Sequence, residues 1–232
     1  MVQTNLPEMI GLIPAGGQAT RISPLPLSKE LYPIGFQPTG KNGSPRPKVV
    51  CQYLLERMQL AGAGKAFIIL RPGKWDIPAY FGDGFQLGMN LAYLTLRSLH
   101  GVPYTLNQAY PFVQNSLVAL GFPDILFQPK DAFVRLRDRL TSGSAEVVLG
   151  LFPTDQPTRV GMVNFDPEGR VISIVEKPAQ SDLKYMWAIA LWTPSFTHFL
   201  HHYLAELATQ YPSEDTPRPE LPIGDVIQAG LE

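Results

Sequence analysis

The chain has 232 residues, 45% of them hydrophobic and 17% charged, with a formal net charge of −1. That is enough chain and apolar content for one large α/β domain, and the charge balance excludes the broad basic footprint of a nucleic-acid binder. The lone Cys51 excludes an internal disulfide framework; with a short polar start before Met9 and no apolar run long enough to span a bilayer, the reading is a cytoplasmic protein with no membrane partner.

A buried-type strand over 9–14 opens the fold. It stops at Ala15-Gly16-Gly17, where missing side chains expose backbone N–H groups to a ligand. Arg21 follows, and Lys29 comes eight residues later across a proline-punctuated segment. Backbone donors, a fork-shaped cation and a point cation at the C-terminal end of a strand suit a polyphosphate. A strand ending in Gly-Gly also suits an ordinary turn, and both readings stand at this point. Two other phosphate motifs do not fit. No Gly-Lys-Ser/Thr follows as a P-loop requires, and Thr20 stands where the dinucleotide fingerprint needs its third glycine.

A long loop is expected from here to about residue 46, rich in the prolines that cluster at 24–26 and 45–47. Val49, Tyr53, Leu54, Met58 and Ala61 at helical spacing predict a helix over 48–62, with Gly62 and Gly64 as its stop. A strand over 66–70, a short helix over 75–81, a strand over 91–96, a helix over 104–113 and a strand over 116–120 follow. Next come a helix over 130–140, with Arg135, Arg137 and Arg139 on a solvated side, and a strand over 145–151. Residues 160–165 and 171–175 read as a hairpin around Asp166-Pro167-Glu168-Gly169. A strand over 186–192 and an amphipathic helix over 195–209 follow, the helix carrying His198, His201 and His202. Adjacent histidines diverge around a helix and no carboxylate stands at ligand spacing, so packing is favoured over zinc. This repeated strand–helix order argues for an α/β fold: a mostly parallel, Rossmann-like sheet with helices on both faces and a small β-hairpin insertion.

The run Ala15-Gly16-Gly17-Gln18-Ala19-Thr20-Arg21-Ile22-Ser23-Pro24-Leu25, followed by Ser28-Lys29-Glu30-Leu31-Tyr32-Pro33-Ile34, resembles the signature of the sugar-1-phosphate nucleotidylyltransferases. Val175-Glu176-Lys177-Pro178 resembles the family's Glu-Lys-Pro, and Arg159-Val160-Gly161-Met162-Val163-Asn164-Phe165 its preceding Tyr-Gly-Val-Val-x-Phe. The segment from Gly101 through Ala109 is similar to the stretch that touches the base and opens a helix. The resemblance implies the nucleotide-diphospho-sugar transferase fold in one domain, about 1–130 serving the nucleotide and about 131–232 the sugar phosphate. It implies the joining of a sugar 1-phosphate to a nucleoside triphosphate with release of pyrophosphate, with Mg²⁺ as cofactor, and it allows a homo-oligomer. Site roles carry over by position. Ala15, Gly16, Gly17, Thr20 and Gly101 would bind nucleotide, and Arg21, Lys29 and Asp124 would be catalytic, with Asp124 as the metal ligand. Gly161, Glu176 and Lys177 would bind the sugar phosphate.

Four departures support an alternative, a nucleotide- or sugar-phosphate-binding homologue with a regulatory role. Ala19 occupies a glycine position, which is strained only if its φ is positive. Phe122-Pro123 is inserted between Gly121 and Asp124, and Leu96 falls where the uracil and thymine clades carry a base-pairing glutamine, so the base stays open. The family's second metal-binding aspartate lies in a Trp-Leu-Asp-x-Gly-Thr loop that would come after Glu232. Before that point, residues 219–228 resemble a helix start in which Asp225 is most simply the N-cap.

Overall fold

The computed structural model describes residues 6–39, 43–96, 100–210 and 219–231. In chain order the strands are β1 (Met9–Ala15), β2 (Pro33–Thr39), β3 (Ser44–Val49), β4 (Lys65–Leu70), β5 (Asn90–Thr95), β6 (Leu117–Gly121), β7 (Val147–Pro153), β8 (Gly161–Phe165), β9 (Val171–Glu176) and β10 (Tyr185–Trp192). The α-helices are α1 (Val50–Leu60), α2 (Asp76–Phe81), α3 (Val102–Asn107), α4 (Tyr110–Val113), α5 (Ala132–Ser142), α6 (Pro194–Ala208) and α7 (Ile223–Ala229).

Eight strands form one sheet in the order β5-β4-β1-β6-β10-β8-β9, with β7 also paired to β10. The pairings β4–β5, β1–β4 and β1–β6 are parallel, which is the core expected from the strand–helix alternation. From β10 onward every pairing is antiparallel. The first half of the chain therefore supplies the parallel strands, and the second half wraps an antiparallel extension onto β6.

Strand β1 sits in the middle and is buried along nearly its whole length. Its alternate residues go to opposite faces, as the two-residue strand period requires. Met9, Ile13 and Ala15 join a core with Leu54, Met58 and Phe133 of α1 and α5. Ile10 and Leu12 join a second core with Leu106, Leu200 and Val226 of α3, α6 and α7. Burial on both faces explains why β1 reads as an unbroken apolar run. It also fixes where the loop after Ala15 emerges: at the C-terminal ends of parallel strands, where open α/β sheets take ligands.

Three expectations need correction. The loop to residue 46 contains a second sheet, β2 paired antiparallel to β3. Prolines 33, 38, 45 and 47 hid it; a two-stranded ribbon has outward-facing N–H rows on both strands, and proline fits there. The helix expected over 104–113 is two short helices, because Pro111 cannot donate mid-helix and instead sits at the start of α4. Asp225 is not an N-cap. Pro222 occupies that position, and Asp225 lies in the first turn of α7, where an acidic residue opposes the positive helix end.

His198 and His201 of α6 both contact Tyr110, and His202 is exposed. His198 Nδ1 lies 2.9 Å from the Tyr110 hydroxyl, and His201 stacks on the Tyr110 ring at 3.8 Å. Among the described residues no helix is long and apolar enough to cross a membrane.

Candidate active site

After Ala15 the backbone leaves the sheet, loops past Gly16 and Gly17, and re-enters order at a 3-10 turn spanning Lys29–Leu31. Lys29 is held by its neighbours on both sides. The Ser28 amide and hydroxyl each donate to the Asp76 carboxylate at 2.7 Å. The Lys74 ammonium donates to both Glu30 oxygens at 2.7 and 2.9 Å, with Glu30 only 1% exposed. Lys74 lies in the connection between β4 and α2, and Asp76 opens α2. Burial pushes the Asp76 carboxyl up, but the Ser28 bonds and the α2 amides outweigh it and hold it below the usual range. Between these anchors the Lys29 Nζ reaches the Asp124 Oδ2 at 2.5 Å.

Asp124 reaches that point because the inserted Phe122-Pro123 folds into a turn beyond β6. The Ile125 amide donates to the Phe122 carbonyl at 3.2 Å, Pro123 is buried and Asp124 stays exposed. The insertion bulges, and the carboxylate still meets Lys29. Phe122 lines the same cavity as Asp124 and packs against Trp187 of β10, with ring centroids 6.0 Å apart.

At the far side, β9 ends in Glu176, directly opposite Gly161 of β8. The Trp187 indole nitrogen and the Glu176 carboxylate meet at the bare face of Gly161, and Gly224 of α7 closes on the same carboxylate. Burial, then the nearby Asp225 charge, raises this carboxyl above its ordinary value, against the lowering pull of Trp187, Lys177 and Gly224. Lys177 follows with its amide bonded to the Val160 carbonyl at 3.1 Å. Gly101 starts α3 at φ +112, and a Cβ there would lie 2.2 Å from the Leu221 oxygen, so only glycine fits beside that chain.

These groups face one cavity of about 610 Å³. Gly16, Gly17, Arg21, Lys29 and Asp124 line one end of it, and Gly101 another wall. Gly161, Glu176 and Lys177 line the remaining side. Ala15 and Thr20 are not brought in: Ala15 is 1% exposed in the core, and Thr20 lies in an exposed turn. A second cavity of about 450 Å³ shares Gly17 and Lys29 and is otherwise bounded by Gln18, Ala19, Ser28 and Lys74 among others.

Among the described residues the only non-glycine positions with positive φ are Ala19 (+57°) and Lys177 (+43°). Both flank the cavities, and backbone strain of this kind concentrates at ligand sites. The glycine departure at Ala19 therefore does carry strain. Leu96 also lines the large cavity; its Cδ1 lies 2.3 Å from where a Gly16 Cβ would stand, so it covers the loop with an apolar surface.

The sequence profile of the nucleotidyl transferase family matches residues 10–221. The chain belongs to the nucleotidyl transferase family. The chain is 30% identical over 175 residues to a glucose-1-phosphate thymidylyltransferase of Mycolicibacterium smegmatis, an alignment covering 73% of this chain and 56% of the relative. It is 29% identical over 229 residues to the glucose-1-phosphate thymidylyltransferase of Neisseria gonorrhoeae, covering 97% of this chain and 72% of that one. In fold it is similar to a UDP-glucose pyrophosphorylase solved with UDP-glucose, at 16% identity and a TM-score of 0.72, over 96% of this chain and 86% of that chain. It is also similar to a candidate glucose-1-phosphate thymidylyltransferase from Bacillus anthracis solved with a sucrose, at 22% identity and a TM-score of 0.77, over 96% and 82% of the two chains.

Sequence reasoning had no role for Trp187, Lys74, Asp76 or Gly224. The clamp residues lie 44 and 48 positions from their partners, and no local pattern signals such a contact.

Proposed function

We propose that this chain joins a sugar 1-phosphate to a nucleoside triphosphate, giving a nucleotide-sugar and pyrophosphate. The observation that carries the reading is a single cavity with Arg21 and Lys29 beside the glycine loop at one end and Lys177 with Glu176 at the other. Two anionic substrates can then meet with their reacting phosphates between the cations. The sugar-phosphate oxygen attacks the α-phosphorus in line, and no covalent enzyme intermediate is required. Arg21 and Lys29 balance charge on the triphosphate, Lys177 holds the sugar phosphate, and Glu176 accepts from sugar hydroxyls. Catalysis rests on positioning and fixed charge.

Among the described residues no three acidic, histidine or cysteine side chains converge as a metal cluster. Mg²⁺ is commonly held by one or two carboxylates together with substrate phosphates and water, and Asp124 fits that mode. When bound, Mg²⁺ would add charge neutralisation at the phosphates. Leu96 offers no hydrogen bond to a base. A cytosolic location agrees with this chemistry.

Binding with little turnover, in a regulatory role, is the second reading, and the strained Ala19 in the phosphate loop is the observation that favours it. A coupled assay for pyrophosphate, run over a panel of triphosphates and sugar 1-phosphates, separates the two. Release that requires both substrates supports the transferase. Tight binding of both with no release from any pair supports the regulatory reading.

A further inference from the structure

The Glu176 carboxylate sits in a cradle built from three strands and a helix. An added Cβ at Gly161 on β8 would lie 2.6 Å from both the Glu176 Oε1 and the Trp187 Nε1, so carboxylate and indole nitrogen converge on the bare face of that glycine. An added Cβ at Gly224 on α7 would lie 2.0 Å from the same oxygen. Two absent side chains thus make the space the carboxylate fills. Trp187 is 5% exposed, lines the large cavity and is backed by the Phe122 ring at 6.0 Å. Its strand is irregular at that point: against β7 the register shifts between Trp187 and Ile189, a bulge of the kind that re-aims side chains beside functional sites.

We propose that Trp187 is a positioning residue that fixes the Glu176 carboxylate for a sugar hydroxyl, in concert with the Gly224 amide. The inference rests on the sugar-phosphate reading given above and extends it to residues outside the recognised motifs. An ionised carboxylate has about four lone-pair sites; in this proposal the indole N–H and the Gly224 amide would take two of them and leave the others to the cavity. The charged groups facing it are Lys177 beside it in the chain and Asp225 from α7. Without the indole, burial and Asp225 would act with less opposition, and the carboxyl would more readily take up a proton and lose acceptor capacity.

The test uses the intact chain, Trp187→Phe and Gly224→Ala. Trp187→Phe keeps a ring but no donor; Gly224→Ala keeps the indole and displaces the carboxylate. Each is expected to raise the KM for the sugar 1-phosphate about tenfold, the usual scale for one lost hydrogen bond to a charged group, with the KM for the triphosphate unchanged. Independently of turnover, the Trp187 indole N–H resonance is expected to titrate with Glu176, and Glu176→Gln to abolish that titration. An indole resonance indifferent to pH, or equal rises in both KM values, overturns the proposal. If no sugar phosphate supports turnover, the functional reading fails, and the indole titration still decides whether Trp187 holds the carboxylate.

Discussion

Lys29 and Asp124 are each other's charge partner, Nζ to Oδ2 at 2.5 Å, across the mouth of the cavity. With side chains 22% and 36% exposed the pair is partly solvated, and pairs of this kind contribute about 0–1 kcal/mol. Its interest is competitive: a triphosphate would draw the ammonium and a cation the carboxylate. Lys29→Ala is expected to weaken triphosphate binding at least tenfold while changing stability by no more than about 1 kcal/mol. Asp124→Asn is expected to leave metal-free binding intact or tighter, because it frees Lys29, and to remove the enhancement by Mg²⁺. Calorimetric titrations with and without Mg²⁺ check both; enhancement that survives Asp124→Asn contradicts the metal-ligand role.

The buried Glu30–Lys74 pair anchors the 3-10 turn that carries Lys29. Lys74→Met leaves the Glu30 charge without its partner and is expected to destabilise the chain by about 3–5 kcal/mol in urea unfolding. Glu30→Leu combined with Lys74→Met is expected to regain most of that stability. Triphosphate affinity is expected to stay low in the double variant, because the turn carrying Lys29 has lost one of its two anchors. Full affinity in the double variant would show that Ser28 and Asp76 suffice.

Ala19 at φ +57 carries a Cβ in a region that favours glycine. Ala19→Gly is expected to stabilise the chain by about 0.5–1 kcal/mol, the relieved strain being partly offset by the freer unfolded backbone. A loss of stability on thermal unfolding would mean that the loop does not hold this conformation.

Glu176 ties affinity and stability to pH. Its carboxyl is raised in the fold by burial and then by Asp225, so the folded chain binds more protons than the unfolded one between the ordinary glutamate value and the raised value. Its contribution to stability is therefore present at low pH and lost as pH rises through that window. Glu176→Gln is expected to remove this component of the pH dependence, seen in unfolding midpoints across the window. Sugar-phosphate affinity is expected to move oppositely, rising with pH as the acceptor charges. Parallel pH profiles for Glu176→Gln and the unaltered chain would contradict the assignment.

Much of the site was legible because the motifs are local. Gly16, Gly17, Arg21 and Lys29 lie in one short stretch, and Glu176 and Lys177 are adjacent. What stayed hidden depends on long-range contact. Lys74 and Asp76 matter only because the start of α2 and the connection before it bond to the residues flanking Lys29. Trp187 matters because a bulge in β10 and two glycines on other elements bring its nitrogen to Glu176. In the fold, apolar runs exposed the parallel strands, whereas the β2–β3 ribbon was masked by prolines that normally signal loop.

If one cavity brings the two substrates into reaction, the outcome is visible with a triphosphate labelled at the α-phosphate. Incubated with sugar 1-phosphate and Mg²⁺, the chain is predicted to move the label into a nucleotide-sugar, and Lys29→Ala and Lys177→Ala are each predicted to suppress the transfer. Label that stays in the triphosphate for every sugar 1-phosphate, or that appears only as free nucleoside monophosphate, would contradict a shared reaction site.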